Sequence, residues 1–238
     1  MKITVTPESF KLAQVFTISR GSRTEAKVLT VRLQDGENHG WGECVPYARY
    51  DETLESVTAE VNGLPDRFDR AELYELLPAG AARNAVDCAL WDLEAKASGK
   101  RAWELAGLPA PKPEITAYTL SLDTPAKMQE QAAKHAFRPL LKIKLGTPDD
   151  MPRLEAVRAG APKSRIIIDA NEGWSRAVYL DLVPHLQRLG VSLVEQPLPA
   201  SDDEGLIGIE RPVPVCADES AHDCSSLPYL KGKYDVVN

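Results

Sequence analysis

Three carboxylates in this 238-residue chain each close a short apolar run: Asp169 in IIIDAN, Glu195 in LVEQP and Asp218 in VCADE. Lys144, in LLKIKLG, stands one interval earlier, and the successive steps are 25, 26 and 23 residues. A step of that size is about one strand plus one helix, so the simplest geometry sets all four side chains at one end of a parallel sheet. Converging carboxylates resist shared ionisation unless a cation compensates, and an all-oxygen set suits a hard divalent ion such as Mg2+. A lysine beside them suits proton transfer.

Lys142 and Lys144 are two apart, so a strand puts both on one face with Ile143 on the other. Leu140, Leu141 and Leu145 flank them and mark a buried strand, where two solvated lysines would be expensive. Two ammonium groups near a metal disfavour each other's charge, which predicts a lowered lysine pKa and an amine able to act as base. Glu219 adjoins Asp218 and is the alternative ligand. Strand alternation points the two to opposite faces, and Asp218 is preferred. Thr119 ends the first strand of the series and is placed to line the same mouth. Arg20 and Arg23, in SRGSRTEA, sit on an N-terminal loop where a guanidinium can clamp a substrate carboxylate. Asn171 follows Asp169 by two residues, and Gln196 and Pro197 shape the exit of their strand. The four histidines have no ligand spacing. Trp41, Trp91, Trp103 and Trp174 read as packing residues, with Trp174 close to the site.

These residues need a scaffold. Residues 1–45 are β-rich: KITVTPESF, FTISR, AKVLTVRLQ and HGWGECV alternate apolar and polar positions. Helical periods follow in TLESVTAEVNGL, in 69–77 and in AARNAVDCALWDLEAKASGK. In the last of these Ala81, Ala85, Cys88, Ala89 and Ala95 keep one side small, and Gly99 is a stop. After Pro109, Pro111 and Pro113, strand and helix signals alternate six times, ending at YDVVN. Pro184 is expected to kink or restart its helix. No GxGxxG opens a helix after the first strand, so a Rossmann domain is disfavoured. The fold class is α/β: an α+β capping domain over residues 1–112, then an incomplete (β/α) barrel over 113–238 with about six of eight strands.

The balance of 28 basic and 35 acidic residues gives a net charge of −7, which argues against a nucleic-acid binder. No window approaches a membrane span, and the N-terminus lacks the apolar core of a secretory signal. The four cysteines form no CxxC pair and read as thiols in a reducing cytoplasm.

In order, KIK, DAN, EQP and ADES resemble the enolase superfamily, specifically its muconate-lactonizing subgroup. RGSRTEA, WGECVPYARY, LPAGAARNAVDCALWDLEAK, ANEGW, EQPLPA and CADES are similar to bacterial dipeptide epimerases that act on L-Ala-D/L-Glu. The resemblance implies Asp169, Glu195 and Asp218 as Mg2+ ligands, Lys144 as catalytic acid/base and Lys142 as its partner at the substrate carboxylate. It implies Arg23 for the acidic side chain of a small dipeptide and Thr119 as a substrate contact. The implied reaction is a 1,1-proton transfer through an enediolate, in a cytoplasmic enzyme of cell-wall peptide metabolism. A homo-oligomer is allowed, since such relatives are often oligomeric; neither nucleic acid nor membrane is an expected partner. N-acylamino acid racemase, o-succinylbenzoate synthase and a non-catalytic fragment are the competing readings. The family's second lysine belongs just after a segment like YDVVN, and the chain stops at Asn238. The expectation is therefore a C-terminally truncated chain that epimerises poorly.

Overall fold

A computed structural model describes residues 1–238. The chain divides into two compact units, one of Met1–Ala13 and Thr24–Pro113, the other of Gln14–Arg23 and Glu114–Asn238. No helix is long and apolar enough to cross a membrane.

The first three strands are β1 (Lys2–Ile18), β2 (Gly21–Asp35) and β3 (Asn38–Cys44), in the order β1-β2-β3. KITVTPESF and FTISR, read as two strands, are the single strand β1. Pro7 does not interrupt it because β1 is an edge, where a missing N–H costs no ladder bond. β2 and β3 run antiparallel, with Leu29, Val31 and Leu33 opposite Cys44, Gly42 and Gly40. The alternation in β2 puts those three aliphatic side chains fully out of water.

The helices that follow are α1 (Leu54–Asn62), α2 (Arg70–Leu76), α3 (Ala81–Ser98) and α4 (Ala102–Leu105). Reciprocal capping boxes start α1 (Thr53 with Ser56) and α2 (Asp69 with Glu72), satisfying backbone N–H groups that the helices leave free. α3 stops at Gly99, whose φ of 69° is left-handed. It buries Ala82, Ala85, Val86, Ala89, Leu90 and Leu93. Cys88 faces outward, correcting the small-residue side expected for it. The small side does matter: a Cβ on Gly42 would fall 1.9 Å from the Ala85 carbonyl oxygen, so β3 lies directly on the backbone of α3. Trp41 is 48% exposed and is no core residue.

The second unit carries a six-stranded parallel sheet in sequential order: β4 (Tyr118–Leu120), β5 (Leu140–Lys144), β6 (Arg165–Asp169), β7 (Val191–Glu195), β8 (Val215–Ala217) and β9 (Val236–Val237). Helices α5 (Pro125–Lys134), α6 (Asp150–Gly160) and α7 (Arg176–Leu186) follow β4, β5 and β6. Only single 3-10 turns follow β7, and the short α8 (Leu227–Leu230) precedes β9. α7 does not restart at Pro184, which lies in its last turn. The chain thus has an N-terminal capping domain and a parallel six-stranded sheet of an incomplete barrel. Met128, Leu141, Ile143, Leu154, Ile166, Ile168, Val194 and Val215 fill the core between sheet and helices.

Candidate active site

Parallel pairing places Lys144 level with Asp169, and Asp169 level with Glu195. The three end their strands in one row because the β/α units are equal in length. Asp218 lies just past β8, two residues beyond Cys216, which is the partner of Glu195. Thr119 is level with Lys142 and half-buried.

The lysines and acids meet. Lys144 Nζ donates to Asp169 Oδ2 at 2.5 Å and to Asn171 Oδ1 at 3.0 Å. Lys142 Nζ donates to both oxygens of Glu195 at 2.7 Å and lies 3.0 Å from Asp169 Oδ2. Asp169 and Glu195 are almost wholly buried, Asp218 only half so. Burial works against charge on Asp169, but Lys144 and then Lys142 outweigh it and hold that carboxyl below its usual range. Glu195 is pushed up to about 7, by burial first and then by the charge of Asp169, with Asp218 adding to it and Lys142 opposing. For Lys142 the expected fall is reversed. Burial lowers it, yet Asp169 and Glu195 raise it further, because acids, and not another ammonium, are its nearest charges.

The turns after these strands are bent. Asn171, Glu172 and Gln196 have φ of 44°, 65° and 34°, left-handed values that non-glycine residues hold only when their surroundings impose them. Hydrogen bonds do so here: Asn171 N donates to Asp169 Oδ1 at 3.0 Å, Glu172 N to Gln196 O at 2.9 Å, and Gln196 N to Cys216 O at 2.9 Å. The turns after β5 and β6 also pack glycine to glycine, since a Cβ on Gly173 would fall 2.4 Å from Gly146 O.

The two arginines of SRGSRTEA are placed differently with respect to the protein's own acids. Arg20, rather than Arg23, reaches the acids: its Nη1 donates to Glu219 Oε1 at 2.8 Å, Asn171 O at 2.9 Å and Glu172 Oε2 at 3.1 Å. Arg23 is exposed, its guanidinium 5.7 Å from the centre of the Phe16 ring. Glu219 is buried and also accepts from Asn171 Nδ2 at 3.2 Å, so it is tied to the residue that holds Lys144. Its Oε2 is buried with no protein donor.

Sequence reasoning missed Asp150. It is fully buried and gathers Gly146 N, Thr147 N, Thr147 Oγ1, Arg153 Nη1 and Trp174 Nε1, which ties the turn after Lys144 to Trp174. The GTPDD run carried a weak sign of this, since an Asp three residues after Thr147 is an N-terminal helix signal.

No three acids, histidines or cysteines stand close enough together to hold an ion in this arrangement. The ammonium of Lys142 occupies the space between Asp169 and Glu195. The donor chemistry nevertheless fits a hard divalent cation: Asp169, Glu195 and Asp218 offer only oxygen. A divalent ion and the Lys142 ammonium would compete for the same oxygens.

The chain is similar to known families and proteins in sequence and fold. Residues 1–107 match the mandelate racemase / muconate lactonizing enzyme N-terminal domain, and residues 124–237 match the enolase C-terminal domain-like family. An N-acetyl-D-glutamate racemase of Pseudoalteromonas sp is 45% identical over 220 residues, covering 89% of this chain and 69% of that protein. The L-Ala-D/L-Glu epimerase of Escherichia coli is 42% identical over 242 aligned positions, covering 99% and 75%. Among solved structures, an enolase family member from Agrobacterium tumefaciens, described as having homology to dipeptide epimerases and bound to sodium and L-Ala-L-Glu, is 53% identical with a TM-score of 0.95, covering 99% of this chain and 74% of that one. A dipeptide epimerase from Enterococcus faecalis with Mg and L-Leu-L-Tyr is 27% identical at a TM-score of 0.90, covering 99% and 73%. The chain therefore spans about three-quarters of the length of most of these relatives. It belongs to the enolase superfamily, with the N-terminal domain of the mandelate racemase / muconate lactonizing enzymes and an enolase C-terminal domain-like portion.

Proposed function

We propose that this chain carries the catalytic apparatus of an epimerase that removes and returns the α-proton of an N-acylated glutamate, foremost the dipeptide L-Ala-D/L-Glu. The observation that supports this best is the lysine pair set on Asp169 beside Glu195 at the ends of adjacent parallel strands. Residues 1–112 act as the cap and 113–238 as the barrel portion.

Lys144 takes the α-proton from one face as a neutral amine or, in the reverse direction, gives it to that face as an ammonium; inversion also needs a second proton carrier on the opposite face of the substrate. Lys142, beside it, places positive charge at the substrate carboxylate. Arg23 pairs with the acidic side chain and Thr119 contacts the substrate from β4. Asp169, Glu195 and Asp218 would hold Mg2+, which when bound supplies positive charge that offsets the negative charge left when the α-proton departs. Asn171 steadies the Lys144 amine at 3.0 Å.

A second reading has a specific support. The relative named as an N-acetyl-D-glutamate racemase is 45% identical. N-acetylglutamate and Ala-Glu share the acylated glutamate and differ at the alanine amino group. Incubating the protein with Mg2+ in D2O and following the glutamate α-proton signal by NMR tests both. Loss of that signal for L-Ala-L-Glu is the expected result. Faster loss for N-acetylglutamate would move the substrate to the second reading, and no loss for either would overturn the proposal. Calorimetric titration with Mg2+ is expected to give binding that Asp169→Asn abolishes; identical traces would favour an inert chain.

A further inference from the structure

One connected set of buried polar groups lies behind the acidic rim and has no part in the chemistry above. Asp203 is 1% exposed and sits between the two 3-10 turns that follow β7. Its Oδ1 accepts from Lys233 Nζ at 2.7 Å, and neither side chain of this pair meets water. Its Oδ2 accepts from Ser220 Oγ at 2.7 Å and from Tyr234 Oη at 2.9 Å.

An ionised carboxylate only accepts, so it commits both hydroxyl hydrogens and leaves the hydroxyl oxygens as acceptors. Gln196 Nε2 faces those oxygens, at 2.9 Å from Ser220 Oγ and 2.8 Å from Tyr234 Oη, with Leu198 O also at 2.9 Å, and its two hydrogens are shared among the three acceptors. The amide orientation is thereby fixed. Its oxygen turns to the backbone of the next strand's exit and accepts from Asp218 N at 2.9 Å and Ser220 N at 3.1 Å. Ser220 Oγ and Tyr234 Oη also lie 3.0 Å apart, so one connected set of bonds runs from Asp203, paired with Lys233, to the backbone at Asp218.

We propose that Asp203 is a positioning residue for cation binding: acting through Ser220, Tyr234 and Gln196, it fixes the backbone at Asp218 so that this carboxylate shares a rim with Glu195 and Asp169. The inference rests on the metal reading given above. It goes beyond that reading in assigning a role to residues that touch neither ion nor substrate.

The test uses two variants of the chain, with Mg2+ calorimetry and with Tb3+ as a luminescent hard cation. Asp203→Asn combined with Lys233→Met removes both buried charges together. Gln196→Met keeps the ion pair and removes only the acceptor of Asp218 N. In both, Mg2+ affinity is expected to fall by on the order of tenfold, the range for groups that orient a metal's ligands. The Tb3+ lifetime in H2O is expected to shorten relative to D2O as water replaces the Asp218 oxygen. Both effects should vanish in an Asp218→Asn background, because a positioning residue has nothing left to position there.

Equal weakening with and without Asp218 would overturn the proposal, as would unchanged affinity in folded variants. Thermal unfolding of the same samples separates folding from binding, and if both variants fail to fold, the network is a core element and the assignment is wrong. Wild type that binds no Mg2+ would overturn the metal reading itself and this inference with it. Binding lost in Asp169→Asn but kept in both network variants would overturn this inference alone.

Discussion

The two units of the chain are buried in opposite ways. All eleven buried polar residues, from Lys144 to Lys233, lie in the unit of Gln14–Arg23 and Glu114–Asn238. The other unit has none; its core is Leu29, Val31, Leu33, Val57, Val61 and the inner face of α3. One interior is held by apolar packing alone. The other withdraws six charged side chains besides Lys144 from water: Asp150, Asp169, Glu195, Asp203, Glu219 and Lys233. Burying charge is costly unless it is paired, and a pair is often no more stable than well-packed apolar groups. The difference teaches where to look for chemistry: the unit with the costly interior is the one whose buried charges gather at the strand ends.

The sharpest way to break this comparison is to remove a buried charge. Lys144→Met is expected to slow α-proton exchange by on the order of 10³-fold, the scale of a lost general base. Its thermal midpoint should fall by no more than a few degrees, since Asp169 keeps Lys142 at 3.0 Å but now shares that ammonium with Glu195. Exchange measured by NMR beside calorimetric unfolding checks both. Exchange preserved with a midpoint lowered further than that would make Lys144 a structural residue and erase the contrast.

The opposite perturbation belongs to the apolar unit. Gly42→Ala would set a methyl 1.9 Å from Ala85 O and 2.9 Å from Ala89 N, both backbone atoms of α3. Strand and helix must part, which is expected to cost about 3 kcal/mol, the upper end for overpacking. Chemical denaturation measures it. Mg2+ affinity of the folded protein should not change. A cost under about 0.5 kcal/mol would mean that this interior is looser than its glycines imply.

Much of both interiors was legible in the sequence. Alternation in β2 and the 3.6-residue period of α3 mark an apolar face directly. The spacing of Lys144, Asp169, Glu195 and Asp218 is legible because equal β/α units return the chain to one sheet end at equal intervals. Other features lie outside such patterns. Arg20 lies in the turn between β1 and β2 and Arg23 three residues on in β2, and only the fold shows which one meets Glu219. The preference for Asp218 over Glu219 assumed strand alternation, but β8 ends at Ala217 and the chain turns, so both acids stay near the rim. Asp203 and Lys233 sit in charged loops thirty residues apart, and such runs read as solvated surface. KITVTPESF and FTISR read as two strands because nothing in the alternation shows that they continue as the single strand β1.

The smallest effect sharpens the comparison inside the polar unit. Asp150 is fully buried, and its carboxylate accepts from five donors: Gly146 N at 2.6 Å, Thr147 N and Oγ1 each at 2.8 Å, Arg153 Nη1 at 3.1 Å and Trp174 Nε1 at 2.7 Å. Trp174→Phe removes one donor and keeps most of the ring. Arg153 still pairs the charge and the backbone N–H groups still bind it, so the carboxylate is not left bare. The expected loss is about 1.5 kcal/mol, one hydrogen bond to a charged group, half the figure for Gly42→Ala. Equilibrium unfolding of the two variants side by side makes the comparison. A loss above about 3 kcal/mol for Trp174→Phe would show that Asp150 depends on the indole more than on the turn, and that the polar interior is held by single bonds rather than by redundant ones.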